Sequence, residues 1–452
     1  MKKVVSILIC IAMLGSVFSL GAFAAEKKDY TIVSPYDEVI WEGDGAWGAY
    51  KGTLHSHTTY SDADVDLATM VKGYYEQDYD FLANADHGVT GVAWNRAPVQ
   101  QFLYNYSTAP RVHLTDEEFE GITTGTYPLS NGTIRNKKMV CVEGANELNN
   151  LTLTKAHVNG YFLPEGVGDG YGGKESGYEQ ALQFIEDNGG ISHINHPGDW
   201  LESNKDINTV SDPENVKYFA DLILKFDSCY GMEVFNENNG TTGFDRILWD
   251  NILMYSLPYG KNVWGYSNTD AHNIENIDTS FSVFMMQENA VENIKYTMMN
   301  GAFFSVSRRI PQNDIIGPAE EIDVCDMRLP YPIFTSVKTE GHKITVTADN
   351  SDRIQWIANG KVIATGEIGD KPVTLDLDTI EGAEDFMYVR AELIGEGGMC
   401  LTQALVIDDG SEPLEFKEDT GFKASLDDLW FAIKSTRLGT IVIEVARIIK
   451  YS

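Results

Sequence analysis

Seven of the nine histidines fall in five short clusters, and one acidic segment joins them. The clusters are Leu54-His55-Ser56-His57, Ala85-Asp86-His87, Ala156-His157-Val158, Ser192-His193-Ile194-Asn195-His196-Pro197 and Thr269-Asp270-Ala271-His272; the acidic member is Asn146-Glu147-Leu148. Each sits where the sequence predicts the end of a strand. His55 and His57 alternate along the chain, as do Asp270 and His272, so the members of each pair leave one face of an extended segment together. Asp62 follows in Thr58-Thr59-Tyr60-Ser61-Asp62, at the turn before a helix. Imidazoles suit zinc, iron and similar ions, and carboxylates bridge pairs of them. A single buried histidine is more often a packing residue than a ligand. Repetition at successive strand ends points instead to a multi-metal hydrolytic site.

The elements that must position these residues alternate. Between Tyr50 and Val306, strands are expected at Lys51–Ser56, Phe81–Ala85, Lys138–Val142, Ala156–Leu163, Ile191–Asn195, Gly231–Phe235, Val263–Ser267 and Ser280–Met285. Helices are expected at Leu67–Gln77, Tyr178–Asn188, Pro213–Phe226, Phe244–Ser256 and Ala290–Asn300. Gly189-Gly190 is a stop signal, and Asp212-Pro213 a start. Alternating β and α units argue for an α/β fold with a parallel sheet or barrel, which carries its chemistry at the carboxyl ends of the strands. Trp94 to Lys137 interrupts the pattern with expected short helices near Val99–Tyr106 and Asp116–Ile122. It reads as a substrate-facing insertion or lid, or as a surface excursion.

Prolines 311, 318, 330 and 332 punctuate an acidic connector. Beyond it, short alternating segments (Ile344–Ala348, Ile354–Ala358, Lys361–Ala364, Val373–Leu377, Met387–Ile394, Thr402–Ile407), with Asn359-Gly360 as a hairpin turn, predict a separate small all-β sandwich of immunoglobulin type. The chain thus divides into a signal peptide (1–24), an α/β hydrolase unit (25–318, insertion about 94–137), a β-sandwich (330–409) and a linker with a C-terminal helical tail (410–452). The tail's helix is expected to start at Ser425-Leu426-Asp427-Asp428, and its apolar run Leu438–Val445 is too short to cross a bilayer.

Lys2 and Lys3, the apolar run Val4–Leu20 and Ala22-Phe23-Ala24 form a secretory signal with cleavage before Ala25, and Cys10 leaves with it. The expectation is a secreted, extracellular protein with no membrane span after cleavage. Cys141, Cys229, Cys325 and Cys400 are too few and too widely spaced for a disulfide framework, and the first two are expected as buried thiols. A formal net charge of -33 and a pI near 4.5 repel nucleic acid and anionic membranes. Bound divalent ions invert that sign locally, so a small-molecule substrate, even a small anion, remains compatible.

Together, Thr53-Leu54-His55-Ser56-His57-Thr58-Thr59-Tyr60-Ser61-Asp62, Phe81-Leu82-Ala83-Asn84-Ala85-Asp86-His87, Gly189-Gly190 through His196-Pro197-Gly198, and Ser267-Asn268-Thr269-Asp270-Ala271-His272 resemble the polymerase and histidinol phosphatase (PHP) superfamily over about Tyr50 to Val306. The trailing β segment and the signal look most like secreted bacterial members, including those akin to carbaryl hydrolases, and less like polymerase proofreading domains. The resemblance implies a distorted (β/α)7 barrel holding two to three divalent ions (Mn, Zn, Fe or Mg), a trinuclear site at most. By position, His55, His57, Glu147 and Asp270 would surround the first ion. Glu147 would bridge to a second ion held by His157 and His196, and Asp62, His87 and His272 would hold the third. Family members usually show glycine two residues before this glutamate, where Ala145 stands here. A shifted alignment would use Glu143 in place of Glu147.

The implied chemistry is hydrolysis by a metal-bridging hydroxide attacking phosphorus or a carbonyl carbon, with Asp270, His272 and His196 as candidates to move protons. Asp86 is expected to orient a neighbour. His193, Arg308 and Arg309 are candidate substrate contacts, the arginines as an anion clamp; the alternatives are a core histidine and a surface pair. Trp94 and Trp200 either wall the pocket or pack in the core. His113 and His342 have no metal context. The leading expectation is a metal-dependent phosphoesterase for small phosphomonoesters or phosphodiesters. The alternatives are a carbamate, ester or amide hydrolase of the same superfamily, and a non-catalytic, metal-stabilised surface protein whose β domain contacts carbohydrate or a cell surface.

Overall fold

The computed structural model describes residues 29–99, 110–148, 156–167, 177–201, 207–236, 243–311 and 322–418, without the side chains of 309–311 and 322–324. The signal peptide, most of the expected helix near Val99–Tyr106 and the C-terminal tail lie outside the described residues.

Helices form where caps and apolar spacing agree. Leu67–Glu76 starts at Asp66, whose carboxylate accepts from Thr69 N, and buries Leu67, Met70, Val71 and Tyr74 on one stripe. Tyr178–Asp187 likewise buries Tyr178, Ala181, Leu182 and Ile185. Pro213–Lys225 begins with Asp212 capping Glu214 N at 2.8 Å and proline in the first turn. Within the expected insertion, Asp116–Thr124 is a helix with a reciprocal cap between Thr115 and Glu118.

The fold is mixed α/β, and its strands do not close into the expected seven-membered ring. Among the described residues they form two main sheets. One has five strands in the order Asn146–Leu148, Val158–Tyr161, Ile191–Ile194, Cys229–Asn236 and Trp264–Asn268. The other has eleven, and its path includes Phe303–Ser307, Ser280–Met286, Gly48–Thr53, Phe81–Leu82 and Val140–Cys141. Gly48–Thr53, Phe81–Leu82 and Val140–Cys141 run parallel, as do Ile191–Ile194, Cys229–Asn236 and Trp264–Asn268. Val158–Tyr161 is antiparallel to both its neighbours, Asn146–Leu148 and Ile191–Ile194, and Ser280–Met286 is antiparallel to Gly48–Thr53 and Phe303–Ser307. The link between Leu148 and Val158 is shorter than a helical crossover needs, so the chain reverses there. The two sheets are joined by isolated parallel bridges at Ser56–Ala271 and His87–Glu147.

Strand pairing joins the segment expected as a separate β-sandwich to the rest of the chain. Gly398–Leu401 pairs antiparallel with Phe303–Ser307, and the first described strand, Thr31–Val33, pairs with Leu405–Asp408. Phe334, Val337 and Trp356 share one buried core with Met70, Val71 and Phe304. Ile333–Glu340, Lys343–Asp349 and Val373–Asp376 form a separate three-stranded sheet. The turn Asn359-Gly360 has φ of 47° and 70°, the mirror-image turn that its residues favour.

A buried ionic cluster pins this seam. The Arg390 guanidinium lies 2.7 Å from Asp250 Oδ1 and Oδ2 and 2.6 Å from Glu392 Oε1, and Arg246 reaches Glu392 at 3.2 Å. Arg308 is used in the same way. It pairs with Asp278 at 2.8 Å and donates to the carbonyls of Leu329 and Gly397, each at 2.8 Å. The guanidinium expected as an anion clamp is therefore spent on holding two chain segments together. The Arg309 side chain lies outside the described residues.

Candidate metal centre

The two bridges between the sheets pass through the ligand-bearing segments. His55 and His57 follow the strand Gly48–Thr53, with Ser56 between them bridged to Ala271. Asp270 and His272 follow Trp264–Asn268, His196 follows Ile191–Ile194, and Glu147 lies inside its strand. His157 precedes Val158–Tyr161 rather than following it. Because that strand runs antiparallel to its neighbours, its start reaches the same edge, and Asn195 N donates to His157 O at 3.1 Å.

The structure brings all nine expected ligands together. Glu147 is the centre: Oε2 lies 3.1 Å from His57 Nε2, 3.3 Å from His55 Nε2 and 3.0 Å from His87 Nδ1. Its Oε1 lies 3.1 Å from His157 Nδ1 and 3.3 Å from His196 Nε2. Asp270 Oδ1 is 3.0 Å from His57 Nε2 and 3.3 Å from His55 Nε2. Asp62 lies 3.5 Å from each of His57, His87 and His272. Three groups have donor atoms within 4.8 Å of one another: His55, His57 and Asp270; His57, Asp62 and His87; and His87, Glu147 and His157. Glu147 is buried, whereas Glu143 is half exposed and pairs with Arg96 at 3.3 Å, so the geometry puts Glu147 and not Glu143 among the ligands.

Hydrogen bonds behind the ligands fix which nitrogens carry protons. His55 Nδ1 lies 2.8 Å from Glu233 Oε1, a carboxylate that only accepts, so Nδ1 carries a proton and Nε2 is the nitrogen turned to the centre. Ser61 Oγ gives its one proton to Asp86 at 2.7 Å, the nearer of two carboxylates (Asp62 lies at 3.1 Å), and accepts from His57 Nδ1 at 3.2 Å, which leaves His57 Nε2 turned to the centre. His272 Nδ1 donates to the Asp270 carbonyl at 2.9 Å, and its Nε2 faces Asp62. His55 Nε2 and His57 Nε2 thus face each other at 3.1 Å between two carboxylates. Imidazole nitrogens and carboxylate oxygens converging in this way are the donor set of a bound cation, which would take the place of protons there, and the residues fit divalent metal.

The electrostatics agree in direction. Burial alone would raise Glu147 and Asp270, yet the surrounding imidazoles hold both carboxylates well below the usual range. Burial lowers His57 and His196, but bonds to and charges on the carboxylates outweigh it and raise them to about 9 and about 10. Burial wins at His87, held at about 4. The centre stabilises positive charge that protons meet only in part. Asp270 (φ 46°) and His196 (φ 22°) have backbones in the left-handed region, a conformation that costs energy in a non-glycine residue and clusters at functional sites.

Glu233 was not foreseen from the sequence. It is fully buried, and besides His55 it accepts from His196 N (3.0 Å), Asn236 Nδ2 (2.7 Å) and Asn268 Nδ2 (2.9 Å). The available signal was a lone carboxylate in the apolar run Gly231-Met232-Glu233-Val234-Phe235. Asp86 accepts from Thr58 N (2.7 Å) and Oγ1 (2.8 Å) and from Ser61, and so shapes the loop that carries Asp62. His193 is fully buried below the site, 2.8 Å from the Tyr161 hydroxyl and stacked on Tyr266, so it occupies the core and not a substrate surface. Trp94 packs on Phe119, and Trp200 stacks on Tyr218. His342 stacks on Tyr30, and His113 lies beside the Leu114 carbonyl, both apart from the ligands. The four cysteines among the described residues are free thiols; Cys229 is buried and Cys141 half-buried. No described helix is long and apolar enough to cross a membrane.

No protein-family model and no curated protein matches the chain. Among solved structures, a two-domain protein from Bacteroides vulgatus ATCC 8482, described as containing a predicted PHP-like metal-dependent phosphoesterase, is similar at a TM-score of 0.39 and 14% identity, over 84% of this chain and 99% of that one.

Proposed function

We propose that this chain is a metal-dependent hydrolase that cleaves small phosphomonoesters or phosphodiesters. The observation that carries the reading is the convergence of two imidazole nitrogens, His55 Nε2 and His57 Nε2, facing each other at 3.1 Å between Glu147 and Asp270. His55, His57, Glu147 and Asp270 would hold one ion, Glu147, His157 and His196 a second, and Asp62, His87 and His272 a third. Divalent ions supply an activated water and neutralise charge on the attacked group. The chain's own residues do the rest. Asp270 stays ionised, held well below the usual carboxylate range by the imidazoles around it, which suits it to hold an ion. His196 Nδ1 is buried without a hydrogen-bond partner and can hold a proton for a leaving group. Asp62 and His272 are the partly exposed members, at 36% and 31% side-chain exposure, and mark the side from which substrate would enter. The reading extends to a secreted protein, on the strength of the signal in residues 1–24.

The test is hydrolysis of a phosphoester panel by metal-loaded protein, with Asp270→Ala as the control. Loss of turnover by at least a hundredfold in the variant is expected, and equal turnover sinks the reading. A second reading, hydrolysis of carbamates, esters or amides, is favoured by the diversion of Arg308 into the core, which removes an expected anion clamp. Aryl carbamates and esters in the same panel separate the two.

A further inference from the structure

Two fully desolvated carboxylates stand behind the ligands, and they support different ones. Glu233 accepts from His55 Nδ1 and His196 N, and through Asn236, whose Nδ2 also donates to Asp270 Oδ2 at 3.1 Å, it reaches Asp270. Asp86 holds Ser61, which lies against His57 Nδ1 and Asp62, and it immediately precedes His87. The donor groups that can share an ion divide the same way: His55, His57 and Asp270 against His57, Asp62 and His87. We infer that Glu233 and Asp86 are positioning residues for two separate ion positions that meet at His57, so that each ion can be weakened without the other. The inference rests on the metal site proposed above.

The chemistry behind each arm differs. Glu233 faces four N–H donors, two on each oxygen. A glutamine there turns one end into a donor. With its amide nitrogen toward His55, that ring must move its proton to Nε2 and lose the lone pair facing the ion. With the nitrogen toward Asn236, that side chain is pushed off Asp270. The Asp86 arm works through the Thr58–Asp62 loop: Asp86 accepts from Thr58 N and Oγ1 and from Ser61 Oγ, and so holds Asp62 against His87. Ser61→Ala removes one of those bonds and leaves every buried charge in place. Losses of this kind typically weaken metal binding by about 10–100-fold.

The experiment uses full-length protein stripped by a chelator and titrated with cobalt(II), with bound metal counted per chain and the visible absorption recorded. Circular dichroism checks that each variant is folded. Wild type should bind at least two ions. Glu233→Gln should weaken one by about 10–100-fold and change the cobalt spectrum, with the other ion retained. Ser61→Ala and Asp86→Ala should weaken one ion each, and Glu233→Gln combined with Ser61→Ala should weaken two, by the sum of the separate effects. A double variant no weaker than its parents, or a folded single variant that loses every ion, overturns the inference. If Asp86→Ala or Glu233→Gln does not fold, Ser61→Ala and Asn236→Ala give the same comparison. A wild type that binds one ion overturns this inference alone; a wild type that binds none overturns the metal site with it.

Discussion

The two ring nitrogens of a histidine decide whether it is a ligand or a packing group. The seven clustered histidines look alike in sequence, and six of them converge on the candidate centre. The seventh, His193, is distinguished by what lies beside it: Tyr161, Tyr266 and Asn268. Burial lowers its pKa to about 4, against about 6.5 in an unfolded chain. Between those values the unfolded chain carries more protons, so this residue's contribution to stability is complete above about pH 6.5 and is lost as pH falls toward 4, by up to roughly 3 kcal/mol. His193→Gln removes that titration. Its stability deficit relative to wild type, read from urea melts, should therefore shrink between pH 7.5 and pH 5, and an unchanged deficit would refute this account. The ligands themselves were legible because the paired spacings of His55 with His57 and Asp270 with His272 repeat at strand ends. Glu233 was not, because one acidic residue in an apolar strand reads as a solvent-facing position until its four donors are seen.

Element boundaries followed from caps and apolar stripes, whereas strand direction did not. The period of two in a strand is the same whichever way the strand runs, so His157 was expected at a strand's end and stands at its start. The short link from Leu148 to Val158 was the available warning. The seam between Phe303–Ser307 and Gly398–Leu401 was equally hidden, since an alternating pattern does not name its partner strand. The seam's stability can be tested at Arg390, which is buried between Asp250 and Glu392. Arg390→Met should cost about 3–5 kcal/mol, because it leaves Asp250 buried without its counter-ion and Glu392 with Arg246 alone. Replacing Asp250 by Asn in the same chain should recover part of that loss. Denaturant midpoints of the two variants measure both effects, and equal midpoints for wild type and Arg390→Met would show that the cluster is not holding the seam.

At the scale of the whole molecule, a net charge of -33 surrounds a centre that gathers positive charge. That field opposes the approach of an anionic substrate, and salt screens it over about 8–10 Å at ionic strengths of 0.1–0.15 M. Raising salt from 10 to 150 mM should lower KM for a phosphomonoester dianion severalfold and leave KM for a neutral ester unchanged. A KM that rises with salt for the dianion would contradict this. Stripping the ions should also destabilise the fold, since a ligand bound at about a thousand times its Kd contributes about 4 kcal/mol. Calorimetry before and after chelation should show a drop in Tm that added metal restores.

The bridges at His87–Glu147 and Ser56–Ala271 are where one half of the molecule is fastened to the other, and ligands lie in or beside both. Ion occupancy is therefore also a mechanical variable. A filled centre would act as a clasp at that edge, added to the common core and the serine hydrogen bonds that already tie the two sheets together behind it.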